Sequence, residues 1–129
     1  QLADGSDVTL VATGLMVAEA IKAKDLLAAE GISARVINIH TIKPIDEDII
    51  AKAAKETGAI VTAEEHSVYG GLGSAVAEVV TKTCPVPVQM VGTTEFGASG
   101  KPAVLLEAYG LTAANIAEKA KKAMAQKRA

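Results

Sequence analysis

Short apolar runs alternate along this chain with longer segments of helical periodicity, and glycine or proline stands at most of the boundaries. The apolar runs have the length of buried strands, and we predict strands over residues 8–13, 34–39, 59–63 and 86–91. Strands that alternate with helices form a mostly parallel sheet that is covered on both faces. The pattern therefore predicts an α/β fold of three layers, α/β/α, around a mostly parallel sheet of four to five strands.

The segments between the strands carry start and stop signals of helices. We predict helices over residues 15–30, from an N-cap at Asp46 to about Thr57, over 74–83, and from a cap at Thr112 onward, with a short helix over 102–109. Hydrophobic staples, Ile45 with Ile50 and Leu111 with Ile116, are expected at two of the starts. The first helix is expected to bury a face that consists of Met16, Val17, Ala20, Ile21, Leu27 and Ala28.

Length and composition exclude several classes of protein. A chain of 129 residues fits one domain, which we assign to residues 1–129. A net charge of −2 and a near absence of aromatic residues argue against binding of nucleic acid. No apolar run approaches the roughly 20 residues that span a bilayer, so we expect no membrane partner. Cys84 is the single cysteine, which excludes an internal disulfide and favours a reducing, cytoplasmic setting.

A glycine turn lies where such a sheet places its ligands, beyond the carboxyl end of the third strand. Gly70, Gly71 and Gly73 lie between a predicted strand and a predicted helix, as in a phosphate-binding loop. The third glycine of a dinucleotide fingerprint would fall at position 76, where the chain has Val76. A packing turn, the edge of a site or interface, and a nucleotide site are all compatible with this turn.

An acidic pair beside a histidine, Glu64-Glu65-His66, follows the same strand. Such a group could serve acid–base chemistry or form polar contacts with a partner. Successive residues of an extended segment point to opposite sides, so Glu65 and His66 need not meet. The other histidine, His40, is remote in sequence, and these residues do not form a convincing metal site. We predict no catalytic residue and no cofactor or metal ligand in this chain.

Three stretches resemble the C-terminal domain of the transketolase superfamily. They are residues 62–78, TAEEHSVYGGLGSAVAE, residues 41–46, TIKPID, and the tail, where 96–102 read FGASGKP and 105–112 read LLEAYGLT. The tail is more similar to transketolase than to the other members. The resemblance covers nearly the whole chain, from about Val8 to Met124.

The resemblance implies a role in a thiamine diphosphate enzyme that moves a two-carbon ketol unit between sugar phosphates, in the pentose phosphate pathway. In the family, thiamine diphosphate and Mg²⁺ are held by two other domains, one for the diphosphate through a Gly-Asp-Gly motif and one for the pyrimidine ring. This chain has no Gly-Asp-Gly. We therefore expect a fragment that is inactive alone, binds no cofactor, and supports a homodimer of the complete enzyme by contact with those two domains.

The candidate contact residues are those of the carboxyl edge: Glu65, His66, Gly70, Gly71 and Gly73. Two alternatives stay open. One is a regulatory module that binds a nucleotide or a phosphorylated metabolite at the glycine turn. The other is the same domain of a 2-oxoacid dehydrogenase β subunit or of deoxyxylulose-phosphate synthase. The family's sheet also has one antiparallel strand, which the spacing in this chain does not place.

Overall fold

Strands and helices alternate along the chain, as the sequence predicts. The computed structural model describes residues 4–13, 16–39, 46–64, 72–91 and 113–127. The elements in these ranges are β1 (Val8–Ala12), α1 (Met16–Ala28), β2 (Ala34–Asn38), α2 (Glu47–Thr57), β3 (Ile60–Ala63), α3 (Leu72–Thr83), β4 (Val88–Val91) and α4 (Ala113–Gln126).

The strands form one sheet in the order β2-β1-β3-β4. All pairings between these strands are parallel, with Leu10 beside Val36 on one side and beside Val61 on the other. The predicted α/β fold with a parallel sheet is confirmed. Four of the predicted four to five strands fall within the described ranges.

Each face of the sheet has its own apolar core. On one face α1 and α4 pack over Leu10, Val36 and Val61. On the other face α2 and α3 pack over Val11 and Ile37. Every residue of β1 is buried, because a central strand of a parallel sheet is covered by helices on both sides. This explains why the strands read as continuous apolar runs.

Several elements differ from the prediction by one or two residues at an end, and the starts of β4 and α3 each differ by two. Strand β4 begins at Val88 and not at position 86, and Pro87, just before it, has no N–H to donate to a neighbouring strand. Helix α3 begins at Leu72, two residues before the predicted start. The short helix over 102–109, the cap at Thr112, Ile45 and Leu111 all lie outside the described residues.

The predicted buried face of α1 is wrong in two positions. Ile21 is 42% exposed and Ala28 is also exposed. The buried residues are Met16, Ala20, Ala23 and Leu27, which follow one narrow stripe. The stripe is narrow because α1 and α4 cover the same core, to which α4 contributes alanines. Positions of α1 beside the stripe therefore face outward.

The ends of α2 follow the sequence signals. The side chain of Asp46 accepts a hydrogen bond from the backbone N–H of Ile49 at 3.2 Å, which confirms it as the N-cap. Gly58 ends the helix in the left-handed region, at a φ of 74°.

The amino end of the sheet is held together by contacts between distant segments. The ammonium group of Lys127 donates to the backbone carbonyls of Asp7 and Thr57, at 2.8 Å each. The buried hydroxyls of Thr57 and Thr9 are also hydrogen-bonded, at 2.8 Å. These contacts tie the residue after α4 to the end of α2 and the start of β1.

Gly5 lies against the edge of the sheet in a position that has no room for a side chain. A Cβ atom at Gly5 would lie 2.2 Å from the carbonyl carbon of Ala34 and 2.3 Å from the amide nitrogen of Arg35. Arg35 donates from Nε to the carbonyl of Gly5 at 3.1 Å and pairs with Glu56 at 2.6 Å. The close approach brings the carbonyl of Gly5 within reach of the guanidinium group.

We expect Gly5→Ala to lower the free energy of unfolding by about 2 kcal/mol or more, because backbone atoms of β2 must move away from the new methyl group. Urea unfolding followed by circular dichroism measures this. Gly31→Ala is the matched control: its φ is 78° and no atom lies within 4 Å of the added Cβ, so only backbone strain of about 1 kcal/mol is expected. A loss for Gly5→Ala no larger than that for Gly31→Ala would contradict the packing argument.

Candidate functional site

The carboxyl ends of β1 and β3 mark the switch point of the sheet. The chain leaves β1 toward β2 on one side and later leaves β3 toward β4 on the other, so ligands of this fold class bind beside these two ends. Thr13 follows β1 and Glu64 follows β3. Of the predicted contact residues, Gly73 lies within the described part of the chain, whereas Glu65, His66, Gly70 and Gly71 lie outside it, as does His40. Contacts at those positions stay predictions.

Glu64 is the buried charged residue at this edge, with 2% of its surface exposed. Its Oε2 accepts a hydrogen bond from the backbone N–H of Leu72 at 2.9 Å, and its Oε1 accepts one from Gly73 at 3.4 Å. The first N–H groups of a helix have no partner within the helix, and they carry the positive end of its dipole. A carboxylate from the preceding strand therefore caps α3, which explains why the helix begins earlier than predicted.

A second carboxylate holds the start of α4 in the same manner. Oε1 of Glu19, on α1, accepts from the backbone N–H of Ala113 at 3.1 Å, and its Oε2 pairs with Lys22. Neither capping role was predicted from the sequence. The position of Glu64 between a buried strand and a helix could have indicated that it caps the helix. No local pattern could have indicated the capping role of Glu19, because 94 residues separate it from Ala113.

Gly73 packs closely against the side chains of Met90 and Thr62. A Cβ atom there would lie 2.8 Å from Sδ of Met90 and 3.1 Å from Oγ1 of Thr62. The first turn of α3 thus approaches β3 and β4 closely at this point. Of the three interpretations of the glycine turn, these contacts favour a packing turn for Gly73.

The start of α3 does not fit the diphosphate group of thiamine diphosphate. The N–H groups at the start of α3 are the ones that a phosphate would use, and the Glu64 carboxylate already accepts from them. A second anion at that point would be repelled. Among the described residues, no three His, Cys, Asp or Glu side chains are placed to hold a metal ion.

Two further observations concern the described part of the chain as a whole. None of its helices combines the length and the apolar content that crossing a bilayer requires. Cys84 is half-buried and forms no disulfide.

We expect Gly73→Ala to lower the free energy of unfolding by about 1 kcal/mol, because the new methyl group displaces the Met90 side chain. Chemical denaturation of the single and double variants in a mutant cycle with Met90→Ala measures the coupling. In the Met90→Ala background the alanine at position 73 should cost less, since the sulfur atom is gone. Equal costs in both backgrounds would show that Met90 is not the obstacle.

Comparisons with known proteins agree on one family. Residues 1–116 match the family model described as the transketolase C-terminal domain. The chain is 53% identical over 116 residues to the 6-deoxy-6-sulfo-D-fructose transketolase subunit of Clostridium sp. (strain MSTE9), with 89% of this chain and 36% of that protein covered. It is 48% identical over 122 residues to the 1-deoxy-D-xylulose-5-phosphate synthase of Heliobacterium modesticaldum (strain ATCC 51547 / Ice1), with 93% of this chain and 19% of that protein covered.

A solved structure extends the comparison to three dimensions. A chain described as a split gene transketolase, inactive beta4 tetramer, superposes with a TM-score of 0.92 at 50% identity, and covers 97% of this chain. This chain spans 41% of that neighbour. It thus corresponds to less than half the length of each of these relatives, and the resemblance in its sequence is confirmed: the chain belongs to the transketolase C-terminal domain family.

Proposed function

We propose that this domain supports the assembly of a transketolase, an enzyme that transfers a two-carbon ketol unit between sugar phosphates, and that the chain is inactive alone. The proposal rests on one observation at the carboxyl edge of the sheet, the contact of the Glu64 carboxylate with the start of α3. At this edge, the first N–H groups of α3, which could bind an anionic ligand, already bind the protein's own Glu64 carboxylate. An edge built in this way is suited to packing against a neighbour and not to chemistry.

The groups that carry out the reaction would then be held by other domains of the enzyme. Thiamine diphosphate supplies the carbanion chemistry of the family when it is bound. We propose that it and Mg²⁺ are held by pyrimidine-binding and diphosphate-binding domains, which are the partners of this domain. The small share of each relative that this chain covers supports the existence of such additional parts.

The oligomeric state, the cellular location and the pathway of the enzyme are also proposals. We propose a homodimer of the complete enzyme, and we note that the structural neighbour is described as a tetramer. A cytoplasmic enzyme of the pentose phosphate pathway fits the resemblance of the tail to transketolase. The relative named for 6-deoxy-6-sulfo-D-fructose indicates that sugar substrates differ within the family, so the donor and acceptor are to be identified by assay.

A second candidate is the matching domain of a related thiamine enzyme. The 48% identity to 1-deoxy-D-xylulose-5-phosphate synthase favours the synthase as that enzyme, ahead of a 2-oxoacid dehydrogenase β subunit. The regulatory-module alternative is less favoured, because Glu64 occupies the N–H groups of α3 that a phosphorylated ligand would require.

Ketol transfer from xylulose 5-phosphate to ribose 5-phosphate, with thiamine diphosphate and Mg²⁺, tests the proposal. The assay compares the 129-residue chain with the longest parent protein or complex that contains it. We expect transfer in the complete assembly and none above background in the chain alone, because its sequence has no Gly-Asp-Gly, the motif with which the family holds the diphosphate.

Release of CO₂ from pyruvate by the complete assembly, without ketol transfer, would move the assignment to the second candidate. Ketol transfer by the isolated chain would refute the proposal that other domains of the enzyme hold the cofactor and the metal. Saturable binding of a phosphorylated ligand by the isolated chain would favour the regulatory module.

A further inference from the structure

Helix α4 covers one of the two cores and takes no part in the other. With α1, it packs over the face of the sheet that carries Leu10 and Val61. Its buried residues are Ile116, Ala117, Ala120 and Ala123. Among the described residues, the core beneath α2 and α3 contains none from α4. Detachment of α4 would therefore open the first core and leave the second one intact.

The apolar contact that α4 contributes is small for its length. Three of its four buried residues are alanines, and each of these buries a single methyl group. Hydrophobic stabilisation is roughly proportional to the apolar area removed from water, so these residues contribute less than leucines would. The larger side chains of this core, such as Leu10 and Leu27, belong to β1 and α1, and α1 continues to cover the sheet when α4 is absent.

Charged side chains hold α4 at both of its ends. Oε1 of Glu19 accepts from the backbone N–H of Ala113, its first residue, at 3.1 Å. Just beyond its last residue, Nζ of Lys127 donates to the carbonyls of Asp7 and Thr57, at 2.8 Å each. Thr57 ends α2, and the last carbonyls of a helix have no partner within it and carry the negative end of its dipole. An ammonium group is therefore well suited to this position.

We infer that α4 is a movable strap of this domain. It detaches from the sheet as a unit while the core beneath α2 and α3 stays folded, and Lys127 is the side chain that holds its end closed. Local opening of this kind is expected where an element makes few large apolar contacts and can leave without disturbing the rest of the fold. Opening uncovers the apolar face of the sheet around Leu10 and Val61. The inference depends on the described contacts alone and holds for any reaction of the complete enzyme.

Native-state hydrogen exchange of the 129-residue chain, followed by NMR, tests the opening. Conditions are chosen in which the exchange rate is proportional to the fraction of open molecules. We expect the backbone amides in the middle of α4 to exchange about tenfold faster or more than those of β1, because β1 is exposed only when the whole domain unfolds. Their exchange should also respond less steeply to urea, because opening of one helix exposes less surface than global unfolding.

Ile50→Val separates opening of α4 from global unfolding. Ile50 is fully buried in the core that α4 does not enter. Loss of its methylene group lowers the free energy of global unfolding, so exchange of the β1 amides should rise about fivefold. The contacts of Ile50 persist when α4 alone is open, so exchange in α4 should stay within about twofold of wild type. An equal rise in both elements would show that α4 opens only with the whole domain and would overturn the inference.

Lys127→Met tests the role of the ammonium group. We expect exchange in α4 to rise about tenfold, since two charge-assisted hydrogen bonds of the closed state are lost. Lys122→Met is the matched control, because Lys122 is exposed on the same helix, and its exchange should stay within about twofold of wild type. Unchanged exchange in Lys127→Met would overturn the role of Lys127. If that variant does not fold, the wild type and Ile50→Val still decide whether α4 opens as a unit.

Discussion

The parallel pairing of β1 with β3 is the constraint on which the rest of the structure depends. These two strands form the centre of the sheet, and each is paired on both sides. Parallel neighbours cannot be joined by a tight turn, so each connection crosses a face of the sheet as a helix and covers it. The alternation of the sequence, the burial of β1 on both faces and the two separate cores all follow from this arrangement.

The predictable features are those that local sequence determines. A buried strand needs an unbroken apolar run, and Val8 to Ala12 supplies one. A helix start needs a short polar side chain, and Asp46 has the carboxylate that the N–H of Ile49 requires. Both signals lie within a few residues of the structure they specify, so the elements and the parallel sheet could be predicted without coordinates.

The features that could not be predicted depend on residues that are distant in sequence. Ile21 belongs to an apolar pattern, yet it is exposed, because the buried stripe of α1 is set by where α4 packs. Lys127 belongs to a lysine-rich segment typical of a solvated helix end, but its ammonium group donates to the backbone carbonyls of Asp7 and Thr57, which are 120 and 70 residues away in the sequence. At the candidate site, the sequence favoured Glu65 and His66 as contact residues. The capping role of Glu64 was not predicted, because its partners are the backbone N–H groups of Leu72 and Gly73 and no side-chain pattern indicates them.

In a fold class that commonly binds ligands at the carboxyl edge of its sheet, Glu64 uses this edge to hold the start of a helix. Where a loop beyond a strand leaves helix N–H groups open, an anion from solution can occupy them. Here the anion is part of the chain, is 2% exposed, and is covalently tied to the central strand. Because this carboxylate belongs to the chain, it is always present. It occupies N–H groups that a ligand could otherwise bind, and it links the end of β3 to the start of α3.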